Sequence, residues 1–256
     1  MLYDTHIHTE FSHDSNMKLQ DAIAKACELG IGIIVTEHID LNYPDPLAFR
    51  LNTHDYFKTY APYRHAALLL GVEIGLSLGE VADNKRIVED NPFDYVIGSI
   101  HLVNDVDTYA EVYYKGKSKQ QAYEEYFEAM HACIHAYDFI DSLGHIDYIC
   151  RYARYADQEL YYSEFSERLD AILAALAGKN KCLELNTRRI GDKQVAECLL
   201  TIYKRFKELG GKYVTIGSDA HFAADIGKNF STALEITDRS GLKPVWFRER
   251  QMQYNK

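Results

Sequence analysis

Residues 4–9, Asp4-Thr5-His6-Ile7-His8-Thr9, close the chain's opening apolar run on two histidines spaced i, i+2. Alternate residues of a strand project to the same side, so His6 and His8 can meet one cation. Asp4 and Glu37 stand beside such ligands, either as orienting partners or as satisfied polar residues at strand ends. Later apolar runs finish in the same way, on Glu37-His38, Glu73, His101, His145, the Glu184/Asn186 pair, and Asp219 with His221. Each run is short and rich in β-branched residues, the pattern of a parallel strand buried on both faces. Neighbouring parallel strands end on one face of a barrel or sheet, and their terminal residues share that face. Strands are therefore expected over 2–7, 31–37, 69–74, 94–100, 139–144, 181–186 and 212–217, and a shared metal site accounts for their endings.

Segments of helical period fill the gaps. Leu19, Ile23 and Ala26/Cys27 share a face ahead of Gly30, a C-cap residue. From Ser118 to Tyr137, residues Tyr123, Phe127, Met130, Ile134 and Tyr137 recur at steps of four and three behind a serine suited to N-capping. Val195, Leu199, Ile202, Phe206 and Leu209 repeat the pattern before Gly210-Gly211. Seven strands alternating with helices, with no internal repeat or Pro/Gly/Ser-rich linker, predict an α/β fold of TIM-like barrel type in a single domain, residues 1–256. The irregular loops 40–53 and 102–117 follow strands on the ligand face and are expected to shape the pocket.

With 47% hydrophobic and 26% charged residues the chain has ample core material. Its net charge of −10 opposes capture of nucleic acid or anionic membrane by long-range attraction. The five cysteines, Cys27, Cys133, Cys150, Cys182 and Cys198, form no CxxC pair and read as reduced core residues. No apolar stretch approaches a membrane span, and a cytoplasmic location is expected. Most of the twenty tyrosines are expected to pack with a wet hydroxyl, and some could stack on an imidazole or another flat leaving group. His54, His65, His131 and His135 fall in helix-like segments and read as structural or solvated residues.

The motifs Asp4-Thr5-His6-Ile7-His8-Thr9, Phe11-Ser12-His13-Asp14-Ser15, Thr36-Glu37-His38, Gly71-Val72-Glu73, Gly98-Ser99-Ile100-His101, Gly144-His145-Ile146-Asp147 and Ser218-Asp219-Ala220-His221, in this order, resemble the PHP family. This is the polymerase and histidinol phosphatase superfamily of metal-dependent phosphoesterases. The resemblance implies a distorted (β/α)7 barrel with a site for three divalent ions. One metal would use His6, His8, Glu73 and Asp219; a second Glu73, His101 and His145; a third His38, His221 and a residue of the 11–15 loop. Asp14, six residues after His8, is the choice for that last ligand, with His13 beside it as the alternative. Mixed imidazole and carboxylate sites accept zinc, manganese or iron, which are not ranked. Amidohydrolase barrels also begin with an HxH strand, but commonly bridge their metals with a carboxylated lysine. A glutamate in the bridge position moves the expected chemistry from C–N to P–O hydrolysis.

Guanidinium matches phosphate oxygens bidentately, and two arginine groups follow ligand strands, Arg151 with Arg154 and Arg188 with Arg189. Arg151 and Arg189 are favoured as phosphate binders, Arg188 is the further candidate, and a surface ion pair is the competing role for each. The resemblance to stand-alone histidinol phosphatases implies hydrolysis of L-histidinol phosphate to L-histidinol and inorganic phosphate by a metal-activated hydroxide. A phosphoesterase for nucleotides or other small or cyclic esters, and a non-catalytic metal-binding regulator, are the rival functions.

Overall fold

Each of the seven expected runs contains a strand in the computed structural model, which describes residues 1–254. The strands are β1 (Tyr3–Ile7), β2 (Gly32–Ile39), β3 (Leu68–Gly75), β4 (Tyr95–Ser99), β5 (Leu102–Val103), β6 (Val106–Asp107), β7 (Ser142–Leu143), β8 (Cys182–Asn186), β9 (Tyr213–Gly217), β10 (Lys243–Pro244), β11 (Trp246–Arg248) and β12 (Gln251–Gln253). One sheet runs β1-β2-β3-β4-β7-β8-β9-β10, parallel throughout, so it holds eight strands where seven were expected. The addition is the two-residue β10, too short to carry a periodic signal. The sheet curls until its first strand meets the segment after β9. There Asp219 N–H donates to the His6 carbonyl at 2.7 Å, and His8 N–H donates to the Ala220 carbonyl at 2.8 Å.

The helices begin and end where local chemistry directs. Leu19–Leu29 stops at Gly30, whose φ of 65° is a left-handed cap costly to other residues. Lys119–Ala136 starts in a reciprocal capping box between Ser118 and Gln121. Lys193–Glu208 is capped by the Asp192 carboxylate, which accepts from Gln194 N–H and Val195 N–H. The apolar faces of these helices enter one large core cluster running from Ile7 to Leu242, where each buried Leu, Ile or Phe contributes about 1.5–3 kcal/mol.

Four expectations need correcting. Cys27 is exposed and Cys198 half-buried, so only Cys133, Cys150 and Cys182 are core residues. The 102–117 segment is not wholly irregular: β5 and β6 form a hairpin whose turn residues, Asn104 and Asp105, have φ of 52° and 61°. His65 lies outside any helix, in an isolated bridge to Leu68. Large buried tyrosines are also not wet, because their hydroxyls end on protein groups, Tyr60 and Tyr95 on the hydroxyls of Thr9 and Thr215 and others on backbone carbonyls. Tyr56 donates to Val35 and Gly71, Tyr126 to His145 and Tyr203 to Glu184.

The N-terminal end of the sheet is closed by the β11–β12 hairpin. Trp246 stacks on Tyr3 and Phe247 on Tyr95, with ring centroids 4.7 and 5.5 Å apart. Arg250 pairs with the buried Asp141 carboxylate at 2.6 and 3.0 Å. This leaves the opposite, C-terminal end open for chemistry.

Candidate metal centre

At the open end His6 and His8 are fully buried, and their Nε2 atoms point at each other across 2.9 Å. The β1–β2 register slips between Asp4 and Ile7, an irregularity of the kind that re-aims side chains beside functional sites. Glu73 Oε2 lies 3.2 Å from His6 Nε2 and 3.4 Å from His8 Nε2, and Asp219 Oδ1 lies 3.7 and 3.4 Å from the same atoms. Ligands bound at about 2.0–2.1 Å in tetrahedral or octahedral arrangement stand about 2.9–3.4 Å apart, so all but the longest of these spacings suit a shared cation.

The other Glu73 oxygen, Oε1, faces His145 Nε2 at 3.0 Å and His101 Nε2 at 3.4 Å, and accepts from the Ser99 hydroxyl at 2.6 Å. Asp14 Oδ2 lies 3.0 Å from His221 Nε2 and 3.6 Å from His38 Nε2, while the His38 and His221 rings flank His8 with centroids 4.1 and 4.4 Å away. Buried His38 Nδ1 and Glu73 Oε2 are 3.0 Å apart, yet neither has a hydrogen-bond partner among the described residues. Each unsatisfied buried group costs about 1–3 kcal/mol. Their donor types and convergence fit divalent cations, which would satisfy both.

Outer partners set the imidazole tautomers. Glu184 Oε1 holds His6 Nδ1 at 2.6 Å, Asp40 Oδ1 holds His101 Nδ1 at 2.8 Å, and the Asp219 carbonyl holds His221 Nδ1 at 3.0 Å. Each Nδ1–H donates outward, which leaves the Nε2 lone pair facing the cluster. The Ser12 hydroxyl donates to Glu37 Oε2 at 2.5 Å and so accepts from His8 Nδ1 at 3.1 Å. Glu37 therefore orients His8 through Ser12. Asp4 instead accepts from Ser218 and Gly227, tying β1 to the end of β9, and burial pushes its carboxyl up to about 6. Gly217 makes room for this layer: a Cβ there would stand 2.4 Å from both Glu184 Oε1 and His6 Cβ.

Asp219 reaches the cluster from a left-handed backbone, φ 55°, a strain of about 1–2 kcal/mol for a residue with a side chain. Burial disfavours its charge, but Arg151 and His6 hold the carboxyl well below the usual range. Glu73 is likewise depressed, by His6, His38 and His101 against its burial. Burial also opposes charge on His38, but Glu73 and Asp14 push it up to about 10. His8 is driven well down, by burial and by His38 and His221.

The structure brings together His6, His8, His38, Glu73, His101, His145, Asp219 and His221. Asp14 joins them, whereas the His13 ring lies beside Phe49, with centroids 5.2 Å apart. Sequence reasoning missed Asp40 and the orienting role of Glu184. Asp40 had a signal, since His38-Ile39-Asp40 repeats the i, i+2 spacing of His6/His8 and Asp219/His221. Arg151 contacts Asp219 at 2.5 Å and Asn186 at 2.9 Å, and Arg188 lies 3.6 Å from Asp219. Both line a cavity of roughly 220 Å³ above the cluster. Arg189 does not line it: its guanidinium is bound to Asp147 at 2.7 Å and Glu159 at 2.6 Å, which displaces it from the favoured pair.

These features belong to a metal-dependent phosphoesterase fold, and the chain is a member of the PHP domain family, whose model matches residues 4–188. It is 48% identical to a probable histidinol-phosphatase of Clostridium acetobutylicum over 99% of this chain and 100% of that one. It is 34% identical to the histidinol-phosphatase of Lactococcus lactis subsp. lactis over 86% of this chain and 84% of the relative. The crystal structure of histidinol phosphate phosphatase from L. lactis subsp. lactis, in complex with zinc, L-histidinol and phosphate, superposes with a TM-score of 0.93 at 31% identity and covers 98% of both chains. Among the described residues no helix is long and apolar enough to cross a membrane.

Proposed function

We propose that this chain is a metal-dependent phosphomonoesterase that hydrolyses L-histidinol phosphate to L-histidinol and inorganic phosphate. The observation that carries the reading is Glu73, whose two oxygens face different imidazole sets at the floor of a cavity with Arg151 and Arg188 in its wall. The relatives named above support the substrate. The finer architecture is a distorted seven-stranded barrel of β1–β4 and β7–β9, supported by the β1–β9 contact, in one domain over residues 1–256 of a cytoplasmic protein. Three divalent ions, zinc, manganese or iron, would be held by His6, His8, Glu73 and Asp219, by Glu73, His101 and His145, and by Asp14, His38 and His221.

A phosphomonoester carries nearly two negative charges, so an anionic nucleophile meets strong repulsion at phosphorus. Bound cations supply the neutralising charge and a nucleophile at neutral pH. The chain's own groups do the rest. Glu184, Asp40 and Ser12 hold His6, His101 and His8 in their ligating tautomers; Arg151 and Arg188 bind phosphoryl oxygens; Tyr148, Tyr152 and Phe222 restrict water at the mouth.

Phosphate release should favour L-histidinol phosphate over p-nitrophenyl phosphate and nucleotides by on the order of 10³ in kcat/KM. Equal turnover of the panel would keep the phosphoesterase and remove the substrate. Arg151→Ala should lower kcat/KM by on the order of 10². Arg189→Ala should leave kcat/KM within a few-fold but cost about 3 kcal/mol in denaturant unfolding, because the buried Asp147 and Glu159 carboxylates lose their guanidinium. The reverse pattern would return Arg189 to the phosphate.

A further inference from the structure

Four carboxylates line the cavity: Asp14, Asp40, Asp107 and Asp219. Three of them face basic groups, Asp14 with His221 and His38, Asp40 with His101, and Asp219 with Arg151. Asp107 differs. Among the described residues it has no ion pair, and its oxygens accept only from neutral groups, Oδ2 from the Tyr43 hydroxyl at 3.2 Å and Oδ1 from Tyr109 N–H at 2.8 Å. Burial and the adjoining Asp107 carboxylate push the Tyr43 phenol up to about 12, so it remains a donor.

The position is built rather than incidental. Asp107 ends β6 and pairs across the hairpin with Leu102, the residue after His101. Thr108 next to it is fully buried and bonds back to the His101 carbonyl through both its N–H and its hydroxyl, each at 2.9 Å. Asn42 meets Asp105 at 3.4 Å, so the 40–53 loop is joined to the hairpin twice. The cavity is thus lined both by guanidinium groups, Arg151 and Arg188, and by a carboxylate with no cationic partner, Asp107, with Tyr148 and Tyr152 among its aromatic rings. A phosphate monoester bearing a cationic amine matches that polarity.

We propose that Asp107, braced by Tyr43, is a specificity residue that accepts from the ammonium group of the substrate and selects amino-alcohol phosphates over phosphate esters lacking an amine. This rests on the reading of the same site as a histidinol-phosphate phosphatase. An ammonium donating to a carboxylate makes a charge-assisted bond, and a site left with that carboxylate unpaired rejects the analogue without it.

The test compares L-histidinol phosphate with 3-(imidazol-4-yl)propyl phosphate, its analogue without the amine, on metal-loaded wild-type, Asp107→Asn and Tyr43→Phe protein. Asp107→Asn should lower kcat/KM for L-histidinol phosphate by roughly 10- to 100-fold and leave the analogue within about three-fold, with Tyr43→Phe showing a smaller loss of the same selectivity. Inhibition by L-histidinol should weaken in parallel while inhibition by inorganic phosphate stays constant, a readout that does not depend on turnover of the variant's substrate. Equal losses on both esters, or no loss on either, overturn the assignment. A wild-type enzyme that turns over both esters equally overturns it too while leaving the histidinol-phosphatase reading intact, whereas a wild-type enzyme that hydrolyses neither ester overturns that reading first.

Discussion

Glu73→Gln is expected to lower kcat/KM by on the order of 10³ or more and to release metal from the purified protein, measured as phosphate production alongside elemental analysis. The carboxylate is fully buried and stands within 3.4 Å of His6, His8, His38, His101 and His145. Glutamine keeps the shape but loses the charge, and it replaces one of the two carboxylate oxygens by an amide NH2, which has no lone pair to offer a cation. Because its two oxygens face separate groups, the substitution weakens both at once, which no single histidine replacement does. A Glu73→Gln enzyme with full metal content and near-normal turnover would remove the bridging role from this residue.

The second large effect concerns protein stripped of metal. In that state His38 is held up to about 10 by Glu73 and Asp14 despite its burial, against about 6.5 for an unfolded histidine. A group whose folded pKa is raised stabilises the protein fully below the unfolded pKa and loses that contribution as pH rises through the folded one. Metal-free protein should therefore lose on the order of 5 kcal/mol between about pH 6.5 and pH 10, a fall of at least about 10 °C in thermal midpoint. The depressed Glu73 and Asp219 carboxyls act on the other side, since their stabilisation exists above about pH 4 and fades as pH drops. Metal-loaded protein, with its imidazoles already deprotonated as ligands, should change little over the upper window. Calorimetric scans of both forms across pH 6–10 check this, and parallel curves would mean that protons do not replace cations in the cluster.

Much of this was legible in the chain because buried parallel strands are written as apolar runs and their ends as polar interruptions. The run from Leu68 to Gly75 is buried throughout, and its one charged residue, Glu73, is the centre of the site. Two- and three-residue elements outside such apolar runs leave no signal. The β5–β6 and β11–β12 hairpins turn on Asn104-Asp105 and Glu249-Arg250, all at positive φ without the glycine that usually announces such turns. Asp219's left-handed backbone has no sequence mark either. The order among the arginines was not legible for another reason: of the adjacent Arg188 and Arg189, only the packed loop decides which one lines the cavity and which one meets Asp147 and Glu159.

The tyrosine hydroxyls that end on strand carbonyls give the outer helices a hold on the catalytic floor. Tyr203 grips the backbone of Glu184, and Tyr126 that of His145, from the far side of the sheet. Helices that never touch the cavity are thereby tied to the backbone of the residue that orients His6 and of a residue that faces Glu73. Exchange of tyrosine for phenylalanine in these helices, which deletes a bond and leaves the volume nearly unchanged, would retune the stiffness of the centre while every ligand stays in place.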